Sequence, residues 1–292
     1  MKLATFTHDN RTRIGAVAGD TLVDLSVAAP RLPTTMLAFL AAGSEAFGAA
    51  KHAVDGGQGR LALRDVSLRA PIERPGKVLA VGLNYADHIA ETGREKPEHP
   101  MIFNKQSTCV IGTGSPIHVP RVSHAVDYEV ELAIVIGRRC RHVPRSRASE
   151  VIAGYCIMND VTARDWQMRV PTWTMGKSFD THGPLGPWLT TADEVGDPHA
   201  LSIRTWVNSE LRQDSNTKHL VFDCYNLVEH LSSAFTLEPG DVISTGTPGG
   251  VGVAMKPPRF LQPGDVVKME IEKLGTLENP VIAEPADTAF IG

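Results

Sequence analysis

The chain has 292 residues, with 29 Lys plus Arg against 33 Asp plus Glu and a formal charge of −4. Charged residues are 21% and aromatics 6%, a globular composition long enough for one large domain or a small one beside a larger one. It has no basic tract, no apolar run near the ~20 residues of a membrane span and no apolar leader at Met1–Asn10, which argues against nucleic-acid, membrane and secretory classes.

Four scattered cysteines, Cys109, Cys140, Cys156 and Cys224, form no C-x-x-C pair. Free thiols and a cytoplasmic location are expected. Gly and Pro together number 26 and 20, which suggests many turns in a strand-rich body.

From the N-terminus, residues 14–18 and 21–25 flank Gly19-Asp20 and predict a hairpin. Helices are expected over 34–42, ending at Gly43, and over 45–54. Residues 70–76, Ala-Pro-Ile-Glu-Arg-Pro-Gly, read as a linker. The expected division is an accessory α+β module at 1–72 and a catalytic domain at 73–292.

In the larger part a strand is expected at 77–81 and a helix at 85–92. Strands follow at 127–136 and 155–160, a short helix near 163–168, a strand at 201–207 and a helix over 221–235 with an irregular start. Pro-Gly-Asp-Val occurs at 239–242 and again at 263–266, each a turn launching a strand. The elements do not alternate strand and helix strictly. An α+β, mainly β body is expected, rolled or sandwiched, with peripheral helices.

Side chains alternate along a strand. Over 127–136, Tyr128, Val130, Leu132, Ile134 and Ile136 share one face, and Glu129 and Glu131 the other, ahead of Ala133 and Val135. Two adjacent carboxylates repel and call for a cation, and oxygen ligands suit Mg²⁺, Mn²⁺ or Ca²⁺ better than zinc. The same pattern also fits a solvated strand edge. Asp160 ends the next strand, where it fits either a third ligand or a helix N-cap.

Arg164 and Gln167 stand three apart on the helix that follows. They are candidate substrate contacts, and Arg164 also fits a surface ion pair. His88 and Glu91 are likewise i, i+3, a pair that can activate water as a general base or serve structure alone. Lys177 follows Gly176. Thr247 lies in the glycine-rich loop 244–252, which lacks the pattern of a P-loop and can offer backbone amides to a carboxylate or simply turn the chain.

Five of these stretches occur in one order: Gly82-Leu83-Asn84-Tyr85-Ala86-Asp87-His88, Asp127-Tyr128-Glu129-Val130-Glu131, Asn159-Asp160-Val161-Thr162-Ala163-Arg164-Asp165, Gly176-Lys177-Ser178-Phe179-Asp180 and Thr245-Gly246-Thr247-Pro248. In them the chain resembles the fumarylacetoacetate hydrolase family over roughly residues 75–285. The resemblance implies a rolled β-sandwich catalytic domain, commonly a homodimer, and a divalent cation, Mg²⁺ or Mn²⁺, with Ca²⁺ able to replace it in a crystal.

By the same resemblance, Glu129, Glu131 and Asp160 are the metal ligands and His88 and Glu91 the catalytic dyad. Lys177 is a catalytic cation, and Arg164, Gln167 and Thr247 are substrate contacts. The implied reaction is hydrolytic cleavage of a carbon–carbon bond in an acylpyruvate or other 2,4-diketo acid, giving pyruvate and a carboxylic acid. Oxaloacetate decarboxylation and 2-oxo-acid isomerisation share the enolate and are the alternatives. The partner expected is a small anionic oxo acid. Met168–Thr172 and His182 depart from the family's pattern and are expected to border the pocket.

Overall fold

The computed structural model describes residues 1–289 and 291. Two large sheets build the body, beside a two-stranded pair of Val126–Asp127 and Thr162–Ala163. The larger has twelve strands, ten of them in the order Arg60–Ala62, Thr21–Asp24, Arg11–Ala18, Lys2–His8, Gly183–Thr191, Ile152–Asn159, Val130–Ile136, Val242–Ser244, Val78–Gly82 and Met101–Lys105. The smaller runs Glu210–Asn216, Ser202–Val207, Val266–Ile271, Gly275–Ala283 and Ile117–Val119. The fold is α+β and mainly β.

The alternation along Val130–Ile136 decides how the layers pack. Val130, Leu132, Ile134 and Ile136 enter one core with Ile203, Val267, Met269 and Ile271 of the second sheet and Leu227 and Leu231 of the helix Cys224–Ala234. Ala133 and Val135 enter the opposite core with Phe39, Leu40 and Ala50 of the N-terminal helices. Both faces are therefore covered, and the strand is buried throughout. Each large apolar side chain enclosed this way contributes about 1.5–3 kcal/mol.

Local signals account for several element ends. Gly19 turns the hairpin at φ 59° between Arg11–Ala18 and Thr21–Asp24. The helix Ala86–Thr92 stops at left-handed Gly93. The irregular start expected near 221–226 is an N-cap: Asp223 accepts from the amides of Tyr225 and Asn226 before the helix Cys224–Ala234. The expected helix over 45–54 is longer, Gly43–Gly56. The expected strand over 127–136 breaks at Tyr128 and Glu129 into Val126–Asp127 and Val130–Ile136.

The first strand, Lys2–His8, continues the large sheet, pairing Lys2 with Thr190 and Leu3 with Leu189 of Gly183–Thr191. Residues 70–76 therefore link two stretches of chain that share one sheet.

Candidate active site

The register of the central strands assembles the acidic groups. Val130–Ile136 and Ile152–Asn159 are antiparallel, with Val130 opposite Asn159. The start of one strand thus meets the end of the other, and the Asp160 amide donates to the Glu129 carbonyl at 2.9 Å. Glu129, Glu131 and Asp160 are all buried, and one oxygen from each lies within 4.8 Å of the others. Asp160 caps no helix: the short helix Arg164–Gln167 has no side-chain cap.

The strand Val242–Ser244 pairs with the other side of Val130–Ile136, and the loop leaving it crosses Glu131. Ser244 Oγ and the Gly246 amide donate to Glu131 Oε2 at 2.6 and 2.8 Å. Gly246 holds φ 100°, and a Cβ there would lie 2.7 Å from Asn84 Cβ. Only glycine meets both demands. Farther along the loop, the Gly250 amide donates to Glu91 Oε2 at 2.9 Å.

Glu91 Oε1 lies 2.7 Å from His88 Nδ1. A carboxylate there accepts a hydrogen bond from Nδ1–H, so Nε2 is the nitrogen left without a proton. His88 and Glu91 line the same cavity of about 380 Å³ as the three carboxylates, together with Arg164, Gln167, Lys177 and Thr247. Val81, Leu83, Phe103, Met168 and Trp173 give this cavity an apolar wall. A larger surface hollow beside the helix Gly43–Gly56 contains none of these groups.

Lys177 Nζ donates to Glu129 Oε2 at 2.5 Å and Asp160 Oδ2 at 2.8 Å, with the Phe103 ring 5.0 Å away. An ammonium has three donors, so one N–H remains for a ligand. Burial works against the charge of Lys177, but Asp160 and Glu129 raise its pKa above the ordinary lysine value. Arg164 Nε donates to Asp127 Oδ2 at 2.9 Å, its Nη2 lies 2.7 Å from Glu129 Oε1, and its Nη1 donates to Gln167 Oε1. What Gln167 offers the cavity is therefore its NH₂ group.

Thr247 gives its hydroxyl proton to the Val130 carbonyl and accepts from Gln213 Nε2, leaving a ligand only an acceptor. Met168 reaches the cavity wall, as expected for that turn. His182 does not: it sits in the interior, with Nε2 donating to the His118 carbonyl at 2.9 Å.

Two charged residues escaped the sequence reading. Lys105 ends an apolar strand, and its buried ammonium contacts Asp160 Oδ1 at 2.7 Å. Asp127 is fully enclosed against Arg164 and the amides of Gly252 and Val253. For Asp127 a signal existed, since it opens the same acidic run as Glu129. Nothing distinguishes Lys105 from a lysine at an exposed strand end.

The donor set fits a divalent cation. Four buried carboxylates, Asp127, Glu129, Glu131 and Asp160, face three cations, Lys105, Arg164 and Lys177, leaving one negative charge unmatched. The unevenness shows in the acidities. Burial raises the Glu129 carboxyl, but Lys177 and Arg164 overcome it and hold its pKa at about 2. Burial, then Asp160 and Glu129, push Glu131 up to about 8. Hard oxygen donors around unmatched charge are the chemistry of Mg²⁺ and Mn²⁺ sites.

Residues 77–282 match the family described as Fumarylacetoacetate (FAA) hydrolase C-terminal. The chain is 46% identical over 266 residues to a mitochondrial oxaloacetate tautomerase of Xenopus laevis, covering 90% of this chain and 83% of that protein. A maleylpyruvate hydrolase from Sphingobium sp. SYK-6, solved in complex with manganese(II) and pyruvate, superposes with a TM-score of 0.83 at 33% identity, over 98% of this chain and all of that one. A fumarylacetoacetate hydrolase from Exiguobacterium antarcticum gives 0.83 at 38% identity, over 97% of this chain and all of that one. Motif order, fold and carboxylate site agree with these matches: the chain belongs to the fumarylacetoacetate hydrolase family of enzymes.

Proposed function

We propose that the chain moves protons on the enolisable carbon of a small anionic 2-oxo acid, with keto–enol interconversion of oxaloacetate as its reaction. The observation that carries this reading is the placement of a free histidine nitrogen and a carboxylate triad on one cavity. The 46% identity to an oxaloacetate tautomerase supports the choice of substrate.

Glu129, Glu131 and Asp160 would hold Mg²⁺ or Mn²⁺, which when bound would supply positive charge against the negative charge that develops on the oxo acid. His88, kept in one tautomer by Glu91, takes the proton from carbon and passes it to the enolate oxygen, and the same steps reversed return it to carbon. The free N–H of Lys177 donates to oxygen where negative charge develops. Arg164 braces Glu129, and the Gln167 amide and Thr247 hydroxyl border the bound acid. All these groups lie in 73–292, with 1–72 as an accessory module and a homodimer as the assembly.

A second reading is hydrolytic carbon–carbon cleavage of an acylpyruvate or other 2,4-diketo acid. The solved maleylpyruvate hydrolase supports it, and there His88 would take its proton from water. Oxaloacetate decarboxylation uses the same enolate. Four cysteines remain free thiols, in keeping with a reducing compartment. No helix among the described residues is long and apolar enough to cross a membrane.

Purified chain with Mg²⁺ should speed decay of enolic oxaloacetate without releasing pyruvate, and His88→Ala should abolish the effect. Pyruvate formation from acetylpyruvate, with enol decay no faster than in the metal-only control, would replace the first reading by the second.

A further inference from the structure

Lys105 stands outside the cavity lining, yet it touches the site from behind. It ends the strand Met101–Lys105, and its side chain is 0% exposed. The ammonium donates to Asp160 Oδ1 at 2.7 Å, to the Val161 carbonyl at 3.3 Å and to the Lys177 carbonyl. Three N–H groups meet three acceptors. No proton remains for a substrate, so Lys105 is neither an acid nor a ligand contact.

Its acceptors come from separate pieces of chain. Asp160 and Val161 follow the strand Ile152–Asn159, and Lys177 closes the short helix Thr174–Lys177. Asp160 is held on both sides, by Lys105 at Oδ1 and by Lys177 at Oδ2. One enclosed ammonium thus ties the third carboxylate to the backbone of Lys177, the residue whose ammonium keeps one N–H for the cavity.

We propose that Lys105 is a positioning residue that fixes the orientation of Asp160 toward Glu129 and Glu131 and sets where Lys177 stands. The inference rests on the cation site argued above. It also makes a prediction whose sign is unusual. Removing a positive charge beside a cation site strengthens cation binding if charge alone matters. Losing the orientation of a ligand weakens it.

The test is Mn²⁺ titration of wild type, Lys105→Met and Lys105→Gln, followed by the electron paramagnetic resonance of free Mn²⁺, with circular dichroism and thermal melting of each protein. Lys105→Met should stay folded and bind Mn²⁺ about tenfold to a hundredfold more weakly. Lys105→Gln keeps an amide donor and should recover part of the loss. Mn²⁺ binding by Lys105→Met equal to or tighter than wild type would overturn the proposal and leave Lys105 as a counter-charge. If Lys105→Met does not fold, Lys105→Gln is judged by the same criterion. Failure of both to fold would assign Lys105 to the fold and overturn the proposal as well. Wild type that binds no Mn²⁺ would remove the cation site itself, a result seen before any variant is made.

Discussion

At the scale of single residues, strand alternation made Glu129 and Glu131 readable as a pair, but could not say whether they were buried. That followed from the chain covering both faces of Val130–Ile136. His88→Ala should lower turnover by about 10²–10⁴-fold without changing Mn²⁺ affinity, as checked by steady-state kinetics and titration. Glu131→Ala should lose Mn²⁺ binding and activity while keeping its circular dichroism spectrum; global unfolding would mark it as structural.

His182 makes a separate pH prediction. Burial lowers its pKa from 6.5 to about 3, so the folded chain keeps it neutral while the unfolded chain takes up a proton below its ordinary value. Its contribution to stability is complete above that ordinary value. It is lost as pH falls toward the folded value, at about 1.4 kcal/mol per pH unit. Urea midpoints between about pH 6 and about pH 4 should fall less steeply in His182→Gln, which keeps a donor for the His118 carbonyl. An equal fall in both proteins would contradict this account.

Among the elements, the loop after Val242–Ser244 carries the most consequence. From sequence it offered amides to some carboxylate. The recipients are the chain's own Glu131 and Glu91, reached from Gly246 and Gly250. Such a target is invisible in sequence, because more than a hundred residues separate each donor from its acceptor. Gly250 holds φ 99°, and a Cβ would stand 2.0 Å from the Arg212 carbonyl oxygen. Gly250→Ala should cost about 1–3 kcal/mol of stability and loosen Glu91, lowering kcat more than it raises KM. Helix ends were easier to read, since Asp223 and Gly93 act through neighbours in sequence. Lys105 shows the opposite case, its partners lying 55, 56 and 72 residues away.

For the whole molecule, the motif order indicated the rolled body, whereas the path of the N-terminal strands did not show in the pattern. Leu3, Ile14 and Ala16 share a core with Leu185 and Leu189 of the strand Gly183–Thr191. Removing residues 1–28 should therefore uncover that strand's edge and apolar face, seen as a lower melting temperature and association in light scattering; a monodisperse truncation with unchanged melting would refute this. The charge count within the site has a kinetic consequence. The chain is −4 overall, so its distant field repels an oxo acid. A divalent cation among four carboxylates and three cations leaves the site +1. Far field and near field then oppose each other: added salt should speed the arrival of the anion while weakening its hold, so that both association and dissociation quicken together.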